Sequence, residues 1–332
     1  MTASPIPEGK LPADRLGRLL RAVGPMPASV RLGPAVGEDA CALEVDGAVV
    51  VAATDPITLT GSDVGRYAVH INANDVAVAG ARPRWFLAAV LLPRGTTADV
   101  VESLFASMRE ALAEVGAVLV GGHTEVTAAV NQPVVVGQML GLAGSRGAVA
   151  TGGAREGDVV VQVGPVPVEG AAVLAVEAAD RLADVPPGVL EAARRATADP
   201  GISVVDVALA AYDLGATAMH DPTEGGLAAG LHELAVAAGA AIRVRKEQLA
   251  WFEPGLAVCR ALGADPLSTL ASGALLATFP PDRAAEAVDR LATAGPPAAA
   301  IGVVERGEGV RDEAGTDVPW PARDEVARLL AS

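Results

Sequence analysis

The sequence predicts a two-domain chain of the α/β class, and three observations carry that expectation. Its 332 residues exceed what a single hydrophobic core ordinarily organises. Short apolar runs of strand length are interleaved with helical stretches, without a strict βαβ alternation. Near the middle, a glycine-rich polar stretch, Gly144 to Gly157 (GSRGAVATGGAREG), interrupts the pattern and is followed by a fresh strand. The expected parts are an N-terminal segment at 1–34, a first domain at 35–150 and a second at 151–332.

Taken in order, residues 1–34 are proline-rich around one short amphipathic helix, Ala13 to Ala22. Short apolar runs in the first domain predict strands at Ala48–Thr54, Arg84–Leu92, Ala117–Val120 and Pro133–Leu140. Helices are expected near 73–80, where small apolar residues favour close packing, and at 98–115, which Gly116 stops. The second domain opens with strand Asp158–Val163, followed by helices near 168–183, 187–197 and 202–213. A short strand, Thr217–Met219, leads into HDPTEGG and a helix, Leu227–Ala238. Strand Ile242–Arg245, helix Pro254–Leu262, strand Ala274–Phe279, helix Asp282–Thr293 and strand Ala298–Val304 complete it, and the tail after Gly307 reads as a charged loop. No internal repeat of solenoid period is present.

Composition narrows the function. Hydrophobic residues make up 51% but aromatics only 3%, so the core is Ala, Val and Leu packed finely. No uninterrupted apolar run approaches the roughly 18 residues of a membrane span. The start, MTASPIPEGK, lacks the charged-then-apolar order of a signal peptide. Cys41 and Cys259 are too few for a disulfide framework or a four-cysteine zinc site. A cytoplasmic location is expected, with no membrane partner. The net charge of −15 argues against free nucleic acid, which needs a basic surface. Nucleotides remain open to an acidic chain that supplies metal ions and local amides.

Acidic groups stand where local structure does not ask for them. Glu38 and Asp39 lie in GEDA, Asp55 at the end of a strand, Asn74 and Asp75 in HINANDVAVAGARP, His123 and Glu125 in GGHTE, and Asp221 and Glu224 in HDPTEGG. Each has a plain alternative. Asn72 caps a helix with Asp75 as its capping-box partner. Asp55 starts a turn before Pro56. Asp221, Pro222 and Glu224 make an N-cap, a first-turn proline and an acidic first turn. GEDA is a solvated turn. Together, five acidic loops at strand ends or helix starts point instead to a magnesium site, because clustered carboxylates repel one another unless a cation sits among them. His123 follows a glycine pair and shares a face with Glu125 by the two-residue strand period. His70 reads as a structural contact near the helix start and His232 as a partly buried structural residue. Cys41 and Cys259 read as small buried hydrophobes. No GxSxG elbow, Walker loop or strand-bound GxGxxG occurs, which excludes the common serine hydrolases, P-loop enzymes and Rossmann dehydrogenases.

In order, GEDA, TDP, NANDVAVAGARP, GGHTE, HDPTEGG, SGALL and IGVV resemble the PurM-like, aminoimidazole ribonucleotide (AIR) synthetase superfamily over roughly residues 10–305. GKLP and VEGAAVLA look nearest its HypE-like, AIR synthase-related branch. The resemblance implies an N-terminal α/β domain that pairs with its twin into a barrel across a homodimer, beside a C-terminal α+β domain. It implies ATP and magnesium in the intervening cleft. Asp39, Asp55 and Asp75 are then the metal ligands. Glu38, Asn74, Thr124, Thr223 and Glu224 are cofactor-binding, and His123, Glu125 and Asp221 are catalytic. The implied reaction phosphorylates an amide- or carbonyl-type oxygen of a small molecule or partner protein. A small-molecule kinase resembling thiamine-monophosphate kinase or selenophosphate synthetase is one alternative, and a non-catalytic nucleotide-binding maturation scaffold is another.

Two departures stand out. The chain ends DEVARLLAS, without the terminal cysteine on which the HypE reaction runs, so nitrile formation is not expected. His123 stands where relatives often carry an acid, so one metal position is expected to be missing or moved to Glu125. Lys10 echoes a lysine of selenophosphate synthetase but is expected at the surface.

Overall fold

The computed structural model describes residues 9–58, 60 and 63–331; the first eight residues of the expected N-terminal segment lie outside them. The N-terminal half contains α1 (Ala13–Arg21), β1 (Val30–Leu32), β2 (Cys41–Val45), β3 (Ala48–Ile57), α2 (Val64–Val78), β4 (Ala81–Pro93), α3 (Ala98–Val115), β5 (Val118–Thr127) and β6 (Val134–Ala143). Its strands form one six-stranded sheet in the order β1-β2-β3-β6-β4-β5. Neighbours are antiparallel except β4 and β5, which α3 connects and which run parallel. A parallel pair needs such a crossover, whereas hairpin turns suffice for antiparallel neighbours.

The C-terminal half contains β7 (Val159–Val163), α4 (Glu169–Glu177), α5 (Pro187–Arg194), α6 (Val205–Asp213), β8 (Ala218–His220), α7 (Gly226–Ala238), β9 (Ala241–Val244), α8 (Glu253–Leu262), β10 (Leu275–Phe279), α9 (Pro281–Thr293), β11 (Ala298–Glu305), β12 (Gly309–Asp312) and α10 (Glu325–Leu330). A second six-stranded sheet runs β12-β9-β11-β7-β10-β8, with only β12 and β9 parallel. The two mixed sheets bear out the expected two-part α/β architecture.

Helix α2 lies against β3, β4 and β6 on one side and against α3 and α6 on others. Only Arg66 in it escapes full burial. A helix enclosed all round must be apolar or internally satisfied on every face. Its small residues, Ala68, Ala73 and Ala77, let three layers approach closely.

Several sequence expectations need correction. The helix expected near 73–80 begins nine residues earlier, at Val64, so Asn72, Asn74, Asp75 and His70 lie inside it rather than at its start. Asn72 caps nothing. Its Nδ2 donates to Ala68 O at 2.8 Å and its Oδ1 accepts from Asp55 N at 2.8 Å. Asp55 lies within β3 and not at its end. The strand expected at 117–120 continues through GGHTE to Thr127. Gly122 permits this: its φ is +149°, and a Cβ there would fall 2.1 Å from Ala88 O on β4. Helix α7 starts at Gly226, the second glycine of the pair, with Gly225 at the cap position, so Asp221 is not a helix cap. The charged tail is not all loop, because β12 joins the sheet and Asp324 caps α10 by accepting from Val326 N at 2.7 Å.

Candidate active site

Four elements converge on one acidic cluster. Asp39 comes from the loop before β2, Asp55 from β3, Asp75 from α2 and Asp221 from the residue after β8. Ligand oxygens of Asp39, Asp75 and Asp221 lie within 4.8 Å of one another. Asp55 lines the same cleft beside Asp75, close enough that each influences the other's ionisation. The two asparagines explain how α2 holds Asp75 there. Asn72 ties the helix to the backbone of Asp55. Asn74 ties it to the C-terminal half, donating to Ile202 O and accepting from Val204 N, both at 2.9 Å. Asn74 is thus a tether between domains rather than a group lining the cleft.

The cluster is electrostatically incomplete. Asp75 is 4% exposed and Asp221 1%. Asp75 Oδ2 has no hydrogen-bond partner, and neither oxygen of Asp221 finds one outside its own residue. Burial, then the charges of Asp221, Asp55 and Asp39, raise Asp75 well above the ordinary carboxylate range. Burial and then Asp39 do the same to Asp221, with His220 opposing. Burial also raises Asp55. Orphaned, buried, mutually repelling carboxylates suit a hard divalent cation, which prefers oxygen ligands and supplies the missing charge.

The acids open onto a cleft of about 880 Å³ that Thr223 and Glu224 also line. That volume lies in the range of small-molecule and cofactor sites. Glu38 borders the same cleft, but its two oxygens accept from Thr151 N and Gly152 N at 3.0 Å each, fastening the segment between the sheets. Burial raises Glu38 above its usual range.

His123, Thr124 and Glu125 are not brought to this cleft within the chain. They sit on the exposed edge strand β5, with His123 Nε2 3.5 Å from Glu125 Oε2. Conversely, two further residues, Lys10 and His220, are central. Lys10 is exposed, as expected, but it is not idle: it borders the cleft, with Nζ 3.2 Å from Glu233 Oε1 and 3.3 Å from Thr223 Oγ1. His220 is buried between two acids, Nδ1 2.7 Å from Asp39 Oδ2 and Nε2 3.0 Å from Glu233 Oε2. Burial opposes its charge, but Asp39 and Glu233 prevail and raise His220 well above its ordinary value. Glu233, in the HELA stretch of α7, looks in sequence like a solvated helix acid. The available signal was its helix face, where Gly226, Ala229 and Gly230 precede it at three- and four-residue steps. The other histidines are structural. His232 Nε2 lies 2.7 Å from Val318 O and its ring stacks on Trp320 at 5.1 Å. His70 Nε2 lies 3.2 Å from Glu114.

A mixed two-sheet fold with a three-carboxylate cluster, two of its members buried and Asp39 half-buried, in a nucleotide-sized cleft defines a metal-and-phosphate type of site. The particular family follows from comparison with known proteins. Residues 37–143 match the AIR synthase related protein N-terminal domain and residues 155–314 its C-terminal domain, and the chain belongs to this AIR synthase-related, PurM-like family. It is 32% identical over 255 residues to carbamoyl dehydratase HypE of Rhodobacter capsulatus, covering 74% of this chain and 72% of that protein. Among solved structures, hydrogenase maturation protein HypE in complex with ATP superposes with a TM-score of 0.72 at 26% identity, covering 90% of this chain and 92% of that one. A HypE–HypF complex superposes with a TM-score of 0.73 at 25% identity, covering 86% and 94%.

Proposed function

We propose that the chain, an ATP-dependent enzyme of the AIR synthase-related family, uses magnesium to phosphorylate and so activate an amide- or carbonyl-type oxygen of a small molecule or partner protein. The observation that carries this reading is the cluster of Asp39, Asp75 and Asp221, with its orphaned oxygens at the wall of the cleft. Asp55 adds a fourth acid through Asp75. A magnesium ion held there would neutralise charge on the phosphate oxygens. The protein's own task is to fix geometry and exclude water, which is most of what phosphoryl transfer requires. The acceptor oxygen bonds to the terminal phosphorus, the bond from that phosphorus to the ADP oxygen breaks, and the acceptor oxygen becomes a leaving group. Thr223 and Glu224 border the path between the acids and Lys10.

Within this reading the enzyme is a homodimer paired through β5. Val118, Leu119, Val120 and Val126 on this sheet edge are between 43% and 57% exposed. An open apolar edge strand is a pairing surface that lone proteins ordinarily blunt. Pairing would place His123, Thr124 and Glu125 at the subunit boundary, where they serve a site shared between copies. A protein partner that delivers the acceptor is consistent with the likeness to a HypE–HypF complex. Among the described residues no helix is long and apolar enough to cross a membrane.

The test is to incubate purified protein with magnesium and ATP, add amide-bearing acceptors singly, and follow nucleotide and acceptor products. Acceptor-dependent ADP release with a transient phosphorylated acceptor is expected. A stable phosphorylated acceptor would make the protein a kinase. Tight ATP binding without product across the panel would make it a scaffold and end the enzymatic reading.

A further inference from the structure

We propose that Glu233 is a positioning residue of the acidic site: through His220 it holds Asp39 in its ligand orientation, and it ties Lys10 into the same unit. This rests on the reading above that Asp39, Asp75 and Asp221 bind a divalent cation. The chain of contacts is continuous. Lys10 Nζ meets Glu233 Oε1 at 3.2 Å, Glu233 Oε2 meets His220 Nε2 at 3.0 Å, and His220 Nδ1 meets Asp39 Oδ2 at 2.7 Å.

The two inner members, His220 and Glu233, are used up by their neighbours. His220 is 2% exposed and both its nitrogens face carboxylates, so it has no nitrogen left for a ligand. Glu233 is 9% exposed and has one oxygen on His220 and the other on Lys10. Asp39 Oδ2 takes His220 and, at 3.5 Å, Thr151 Oγ1, which fixes the rotation of the carboxylate and leaves Oδ1 for a cation. The approach of α7 is itself built in: a Cβ on Gly230 would fall 2.6 Å from Pro222 and 3.4 Å from His220. Groups that orient a metal ligand in this way govern affinity although they never touch the ion.

The test measures Mn²⁺ affinity by electron paramagnetic resonance on full-length protein, with no activity readout. Glu233→Leu is expected to weaken Mn²⁺ binding by about tenfold or more. Glu233→Gln, which keeps an acceptor for His220, stays within about threefold of wild type. In a double-mutant cycle, Asp39→Asn with Glu233→Leu binds no more weakly than Asp39→Asn alone, within about twofold. Wild-type affinity in Glu233→Leu, equal losses in the Gln and Leu variants, or additivity in the cycle would each overturn the proposal. Should Glu233→Leu not fold by circular dichroism, His220→Gln breaks the same bridge from its other side and is read by the same criteria. Asp75→Asn and Asp221→Asn are the controls. Unchanged affinity in both removes the metal reading itself, whereas losses there without a loss at Glu233 remove only this proposal.

Discussion

Asp75 shows why a single residue in this protein serves function at the expense of stability. It is a carboxyl group buried in the middle of a helix, raised far from its ordinary range by burial and by three neighbouring acids. Asp75→Asn keeps the shape and removes the charge. It is expected to weaken magnesium-ATP binding by at least about tenfold while raising the apo melting temperature by a few degrees. Calorimetry on the same two proteins checks both; unchanged nucleotide affinity would mean the site is misassigned. His70 gives a second, independent expectation. Burial and then Arg66 push it down to about 4, against the pull of Glu114. An unfolded chain protonates this histidine near pH 6.5. The His70 contribution is therefore complete above pH 6.5 and lost as pH falls from 6.5 through 4, by up to about 3 kcal/mol. Glu169 and Asp324, both pushed up to about 7 by burial, act in the opposite direction over a similar window. The measurement is thus the difference in denaturation curves between wild type and His70→Gln, and a difference independent of pH would contradict it. At this scale the acids were legible only as a set: Asp39, Asp55, Asp75 and Asp221 each had a plain local use, and their recurrence in separate loops singled them out. Lys10 and Glu233 were not legible, since a lysine in a proline-rich arm and a glutamate in a helix are ordinary surface residues until folding brings them together.

At the scale of elements, most strands and helices were legible from apolar runs and stop signals; α3 runs from Ala98 to Val115 as expected. The errors share a cause. Polar residues in HINAND look like a helix start because a cap is the commonest local use for them. Their real partners, Asp55, Ile202 and Val204, are 17 to 130 residues away. Likewise Gly121 and Gly122 look like a strand end, yet the close approach of β5 to Ala88 requires glycine within a continuing strand. That strand carries its own prediction. Val120→Lys places a charge on the exposed edge and is expected to convert a dimer to a monomer at micromolar concentration, as read by analytical ultracentrifugation. A wild-type protein that sediments as a monomer, or a variant that remains dimeric, would remove β5 as the interface.

For the whole molecule, α2 is the part that makes two sheets into one site. Asn72 binds it to β3, Asn74 binds it to the C-terminal half, and Asp75 lies between those ties, facing Asp39 and Asp221. The sequence order of the motifs was enough to expect this family and its acidic cleft. It was not enough to place GGHTE, because one chain does not bring His123, Thr124 and Glu125 to the cleft. The central claim is that the acids carried by the two halves hold one cation at a bound nucleotide. Crystals grown with Mn²⁺ and a non-hydrolysable ATP analogue test it through the manganese anomalous signal. The account predicts a peak among the carboxylates of Asp39, Asp75 and Asp221, at about 2.0–2.2 Å from their oxygens and beside the analogue's phosphates. Analogue bound in the cleft with no anomalous peak at those three residues would contradict it.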